Sequence, residues 1–292
     1  MGVVALGAVR SCGVTTLALA LAATWPAERR VLLVEADPVG GTLAAASGWP
    51  PEPSLVSLAA AARHALDPDL VWEHCQELPG GAAVLTGPAS ADQARSALGM
   101  LVGLSSHLRM LDADVLVDCG RLGPGAPGAE VFEGADAVVL VSRPRLVDLH
   151  ALATWRKANP FDSGRVAVVL VGDGPYPDTE IAEALGVEVL ARLPWDPEAA
   201  GALVSVPASA REVRLSPLVR AARSLADRLA RELAGAPPAV GSASGVVPAA
   251  STRSSRAAAL RTRVLRTRVL GAWRADPVPR STNGSTPEEV SQ

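Results

Sequence analysis

Residues 1–235 are predicted to form one soluble, doubly wound α/β domain, a mostly parallel sheet flanked by helices, with a C-terminal tail over residues 236–292. Three observations predict this. Short apolar runs of strand length alternate with longer helical stretches through short links, the pattern that right-handed crossovers of a parallel sheet produce. Hydrophobic residues make up 49% of the chain and aromatics only 3%, so alanine, leucine and valine do the packing, which suits helices layered on a buried sheet better than a β-sandwich. After Gly235 the composition changes to Pro, Ala, Ser and Gly, then to an arginine-rich segment and a polar end, the composition of a linker or disordered tail.

The elements follow in order. Val3 to Ala8 is an apolar run too short for a helix, closed by Arg10-Ser11-Cys12-Gly13, and Thr15 to Trp25 is a buried helix ended by Pro26. Val31 to Glu35 is a second buried strand, leading to Asp37-Pro38 and the turn glycines Gly40 and Gly41. Helices are expected over Ser54 to Ala65 and Asp69 to Glu77, a strand over Ala82 to Thr86 and one long helix over Ala91 to Leu108. Asp114 to Asp118 is a strand of three apolar residues ending in an aspartate, followed by a Gly- and Pro-rich loop over Gly120 to Gly128. Strands over Ala137 to Ser142, Val166 to Val171 and Val187 to Ala191 enclose helices over Leu146 to Ala158 and Thr179 to Leu185. A helix over Leu215 to Ala234 closes the domain.

Charge is unevenly placed. The formal net charge is −3, yet residues 253–274 carry seven arginines, from Arg253 to Arg274, and no acidic residue, so the remainder is more acidic than the total suggests. Such a segment can contact a membrane surface or nucleic acid weakly, or can simply be solvated. Its repeat, Arg-Thr-Arg-Val-Leu at 261–265 and again at 266–270, has a period of five that spreads its apolar residues around a helix instead of forming one stripe. Cys12, Cys75 and Cys119 show no metal-ligand spacing, which points to reduced thiols in a cytosol. Arg10 interrupts the apolar N-terminal residues, so they do not read as a signal peptide.

In an open parallel sheet, ligands bind at the carboxyl ends of the strands, and the loops over residues 8–16, 35–41 and 118–128 lie there. The first, Ala8-Val9-Arg10-Ser11-Cys12-Gly13-Val14-Thr15-Thr16, has the length and position of a phosphate loop, in which backbone N–H groups and a helix N-terminus attract anions. In that loop Thr15 stands where a hydroxyl would hold Mg²⁺.

These motifs resemble the MinD/ParA family of deviant P-loop ATPases, whose phosphate loop Lys-Gly-Gly-x-Gly-Lys-Thr-Thr aligns with Val9 to Thr16. Gly13, Thr15 and Thr16 match. Val31 to Gly41 is similar to the family's second motif, Asp114 to Asp118 to its Walker B strand, Ala135 to Pro144 to the strand and turn after it, and Leu193 to Pro197 to its adenine-side loop. The resemblance spans about residues 1 to 230 and implies a P-loop NTPase-like fold with ATP and Mg²⁺ as cofactors where the site functions. It implies Arg10, Ser11, Cys12, Gly13, Val14, Thr15 and Thr16 at the phosphates, Thr15 and Asp118 at Mg²⁺, Asp37 positioning the attacking water, and Pro194 and Asp196 bordering adenine. It also implies a homodimer that sandwiches nucleotide.

The departures bear on the chemistry. The family's two lysines fall at Val9 and Val14, its two further glycines at Arg10 and Ser11, and the chain's only lysine is Lys157, on a later helix. Losing one charge-assisted hydrogen bond of about 1.5 to 3 kcal/mol weakens triphosphate binding by roughly 10- to 100-fold. Arg10 either supplies a replacement charge or crowds the phosphate pocket, crowding being the favoured expectation. Glu35 replaces an aspartate of the second motif, and Gly172-Asp173 stands near the family's adenine-side asparagine.

Three functions are compatible with these residues. The favoured one is a MinD/ParA-like positioning or regulatory protein of a bacterial cytoplasm, acting through contacts with a protein partner and carrying a degenerate nucleotide site. The second is an active ATPase of that kind, serving chromosome partitioning, septum placement or pilus or secretion-machine assembly. The third is nucleic-acid binding through the arginine tail. Cys12 and Cys119, in adjacent strand-end loops, are read as separate core thiols, and His64, His74, His107 and His150 as structural or solvent-facing.

Overall fold

The computed structural model describes residues 1–235 except 63–65, 79, 102–103, 124–127, 160–164 and 205–214. Contacts divide the chain into Met1–Gly241 and Ser242–Gln292, and the arginine segment Arg253 to Arg274 lies outside the described residues. The first unit is built on an eight-stranded sheet of β1 (Val3–Ala8), β2 (Val31–Glu35), β3 (Gln76–Glu77), β4 (Ala83–Leu85), β5 (Asp114–Arg121), β6 (Ala137–Ser142), β7 (Val166–Val171) and β8 (Glu188–Leu193). The strand order is β3-β4-β2-β5-β1-β6-β7-β8, and every pairing is parallel except that of β3 with β4. β1 lies between β5 and β6, so the chain switches direction across the sheet here. This is where a parallel sheet opens a crevice for ligands.

The helices are α1 (Val14–Thr24), α2 (Leu43–Ala46), α3 (Leu55–Ala61), α4 (Pro68–Glu73), α5 (Ala91–Met100), α6 (Leu104–Leu108), α7 (Gly128–Gly134), α8 (Leu146–Ala158), α9 (Asp178–Leu185), α10 (Pro197–Val204) and α11 (Pro217–Gly235). The strand period of two sends alternate residues to opposite faces. Leu6, Leu33, Leu116 and Val139 therefore pack with α1 and α11 on one side. Ala5, Leu32, Val117 and Val138 pack with α3, α5, α6 and α7 on the other. α11 shows the matching helical stripe, with Leu218, Ala222, Leu225, Leu229 and Leu233 buried while Arg223, Asp227 and Arg231 face solvent. Each fully buried leucine contributes about 1.5 to 3 kcal/mol relative to exposure.

The expected fold class stands, with local corrections. The helix expected over Ala91 to Leu108 is two, because the chain leaves helical geometry at Leu101. The helix expected over Asp69 to Glu77 ends at Glu73, and Gln76–Glu77 instead pairs antiparallel with β4 as an edge strand. β5 runs three residues past Asp118 into the expected loop, and Gly128–Gly134 is helical. The short helices α2 and α10 have no counterpart in the sequence reading. No helix among the described residues is long and apolar enough to cross a membrane.

Candidate functional site

The carboxyl ends of β1, β5 and β2 converge on the start of α1. Gly13 occupies the N-cap with φ 97° and ψ 37°, a left-handed conformation that glycine adopts without Cβ strain. No side chain caps the helix, so its first-turn amides and the positive end of its dipole are left for an anion. The loop residues divide by burial. Arg10, Ser11 and Gly13 are exposed and Thr15 and Thr16 half-buried, whereas Cys12 and Val14 are buried in the α1-side core. Val14, which aligns with a family lysine, is thus a packing residue, and Val9, which aligns with the other, is half-buried against the opposite core.

Asp118 is fully buried at the end of the Walker B-like segment. Its Oδ1 accepts the Gly120 amide at 2.9 Å, and its Oδ2 completes no hydrogen bond of normal geometry. Burial pushes this carboxyl up to about 6, the Thr15 hydroxyl and the Gly120 amide oppose the push, and the Asp37 charge adds to it. Thr15 and Asp118 are therefore neighbours. A divalent cation fits this pair, since it would neutralise a buried carboxylate and occupy the unpartnered oxygen.

Asp37 lies beside them. Its Oδ1 accepts the Val39 amide at 2.8 Å, and its carboxylate rests against the Cα of Gly120, where any Cβ would overlap it. Gly120 has φ +58°, so both conformation and space require glycine there. Partial burial raises the Asp37 carboxyl, while the Val39 amide and the charge and amide of Arg121 hold it down.

Glu35 has a different task. It is 2% exposed, and its Oε1 accepts the amides of Thr42 at 2.7 Å and Leu43 at 3.1 Å while Oε2 accepts that of Gly87 at 2.9 Å. The longer side chain ties the loop after β2 to the loop after β4 and supplies the acceptor at the start of α2. Burial pushes its carboxyl up to about 7 against the lowering of those amides.

Two arginines lie near the loop. Arg10 lies toward α8: its Nε is 3.9 Å from an Asp148 oxygen, with the side chain 56% exposed. Arg121 reaches the loop itself, donating from Nη2 to Ser11 Oγ at 2.5 Å. Sequence reasoning assigned residue 121 to a loop and missed it. The available signal was the glycine before it, placed where the backbone must depart from strand geometry.

After β8, Pro194 is half-buried and Asp196 is engaged as a helix cap, its Oδ1 accepting the Ala199 amide at 3.0 Å at the start of α10. Between them Trp195 is 58% exposed, with the Arg143 guanidinium carbon 4.2 Å from its ring centroid. Gly172, with φ +80°, approaches the same tryptophan. Cys12 and Cys119 do not meet. Cys12 Sγ donates to Val141 O at 3.2 Å in the α1-side core, whereas Cys119 belongs to the opposite core, and burial raises both thiols. His74 Nδ1 pairs with Leu70 O at 2.9 Å, while His64 lies outside the described residues.

No model of a known protein family matches the chain, and no curated protein matches it. Solved structures do. A ParA family ATPase from Chlorobium tepidum TLS superposes with TM-score 0.63 at 19% identity, over 77% of this chain and 98% of that one. The septum site-determining protein MinD complexed with Mg-ADP from Pyrococcus horikoshii OT3 gives 0.62 at 19% identity, over 80% and 97%. Cobyrinic acid a,c-diamide synthase from Mycobacterium smegmatis, with bound ADP and magnesium, gives 0.50 at 20% identity, over 80% and 96%. Likeness at this identity establishes the P-loop NTPase fold. Because ATPases and a synthase share it, function must be argued from the site.

Proposed function

We propose that this chain is a MinD/ParA-like positioning or regulatory protein that acts through protein contacts, with a nucleotide site too poor in charge to drive hydrolysis. The observation that carries this reading is Val14, whose side chain is 7% exposed in the α1-side core at the position where the fold's phosphate loop needs a lysine. Phosphoryl transfer depends on neutralising charge around the transferred group, and an apolar side chain turned into the core supplies none. Val9 is packed away as well, so a residue reaching across a nucleotide-sandwich dimer is also missing. Any homodimer would rest on other contacts.

The test is phosphate release by the full-length chain with Mg·ATP, alongside capture of partner proteins with ATP, with ADP and without nucleotide. The expected result is release no faster than the buffer blank and one unchanged set of partners. Turnover that disappears in Asp118→Ala would overturn the reading.

A second reading, an active switch of the same kind, is supported by the closeness of Thr15, Asp118 and Asp37 at the start of α1 and the ends of β5 and β2. If nucleotide binds, Thr15 and Asp118 would hold Mg²⁺, the uncapped start of α1 would face the phosphates, and Asp37 would orient water. Nucleotide-dependent partner capture together with turnover would move this reading to first place.

A further inference from the structure

We infer that Arg121 is the cation through which this lysine-free loop holds a phosphate-bearing ligand. The inference rests on the reading above that the loop over residues 9–16 is an inherited phosphate loop whose lysines are gone. It adds that a charge able to hold a bound phosphate, though not the loop lysine that neutralises a transferred group, is supplied from the neighbouring strand.

The geometry begins with a strand irregularity. β1 and β5 run in register from Val3 opposite Val115 to Leu6 opposite Asp118, but Ala8 is next opposite Arg121. Two steps along β1 thus match three along β5, so β5 carries one extra residue, and Gly120 with φ +58° absorbs it. Along β5, Leu116 and Asp118 face α1 while Val117 and Cys119 face the opposite core. Uninterrupted alternation would send residue 121 to the side away from α1. The bulge resets the count, so that Arg121 lies on the α1 side and Leu122 packs into the opposite core.

Arg121 is then held at the loop beside Ser11. Its Nη2 donates to Ser11 Oγ, and its charge acts on the Asp37 carboxylate. A guanidinium carries five N–H donors in a planar fork matched to phosphate oxygens, and among the described residues Arg121 uses one of them. The side chain is exposed, so the others remain open. A second feature marks the same place: Asp118 is fully buried beside Thr15 in the first turn of α1, and its Oδ2 completes no hydrogen bond of normal geometry. Arg10 lies toward α8, its Nε 3.9 Å from Asp148.

The ligand class is a phosphate group, either the polyphosphate of a nucleotide or free pyrophosphate. The experiment is calorimetric titration of Mg·ADP, Mg·ATP and pyrophosphate, each to millimolar concentration, into the full-length chain and into Arg121→Ala, Arg121→Lys and Arg10→Ala. Circular dichroism and thermal midpoints confirm that each variant folds. The wild type is expected to bind. Arg121→Ala should weaken binding about 10- to 100-fold, Arg121→Lys should recover much of it, and Arg10→Ala should change it by less than about 3-fold. Equal affinity for pyrophosphate and nucleotide would identify phosphate itself as the ligand, and nucleotide binding alone would add a base contact. An unchanged affinity in a folded Arg121→Ala overturns the inference, as does a wild type that binds none of the three. Either result leaves the protein-contact function standing. Turnover of ATP would instead overturn that function, and Arg121 would still be judged by its own variants.

Discussion

Glu35 is a buried carboxylate held by three backbone amides, and its cost and its use are both electrostatic. In the folded chain its carboxyl is pushed up to about 7 from an ordinary value of 4.5, because burial outweighs the Thr42, Gly87 and Leu43 amides. Between those values the folded protein keeps a proton that the unfolded chain has released. The stability this contributes is fully present below the unfolded value and is lost as pH rises through about 7. Asp118 acts with the same sign toward about 6, so the diagnostic is the difference between wild type and Glu35→Gln. Urea unfolding from about pH 5 to about pH 8 should show wild-type stability falling, with a shallower fall in Glu35→Gln. The variant should also be less stable overall, since its amide group must oppose one of the amides that Glu35 accepts. Parallel curves would show that Glu35 does not titrate in this range. The residue type was legible as an unusual member of its motif, but its three partners were not, because they come from loops brought together only by the sheet.

One strand carries two buried aspartates with opposite fates. Asp118, at the carboxyl end of β5, keeps an unpartnered oxygen at the candidate site. Asp114, at the amino end, is fully engaged: Arg29 donates to both of its oxygens, Trp25 Nε1 donates at 3.0 Å and the Gly2 amide at 3.2 Å. The Asp114 side chain is fully buried and that of Arg29 is 20% exposed, so removing the arginine leaves a buried carboxylate short of its counter-charge. Arg29→Leu is expected to destabilise by about 2 to 4 kcal/mol, somewhat below the figure for a wholly buried pair. Arg95→Ala, which removes an exposed pair with Asp92, should cost less than about 1 kcal/mol. Urea midpoints measure both, and equal losses would mean that the β5 network does not lock the strand. In the sequence the two aspartates read as ends of one motif. Only the elements packed around each end separate an anchor from a candidate site.

At the scale of the whole molecule, the proposed division into a domain over residues 1–235 and a tail over 236–292 makes a direct prediction. A chain ending at residue 235 should unfold within about 2 °C of the full chain, and a loss beyond about 5 °C in a calorimetric scan would assign part of the stabilising contacts to the tail. The α/β architecture and the strand–loop–helix at residues 3–24 were legible in the sequence alone, because helical and strand periodicity and the order of motifs are local properties of the chain. The same holds for the exact bounds of β1, β2, β6 and β7, runs apolar enough to be buried on both faces. The tertiary structure alone decided that Arg10 turns to Asp148, that Cys12 and Cys119 lie in opposite cores, and that Arg121 faces Ser11. These outcomes depend on strand register, and a single extra residue at Gly120 reverses which face of the sheet the following side chain occupies. Register is set by long-range packing, which no stretch of sequence carries by itself.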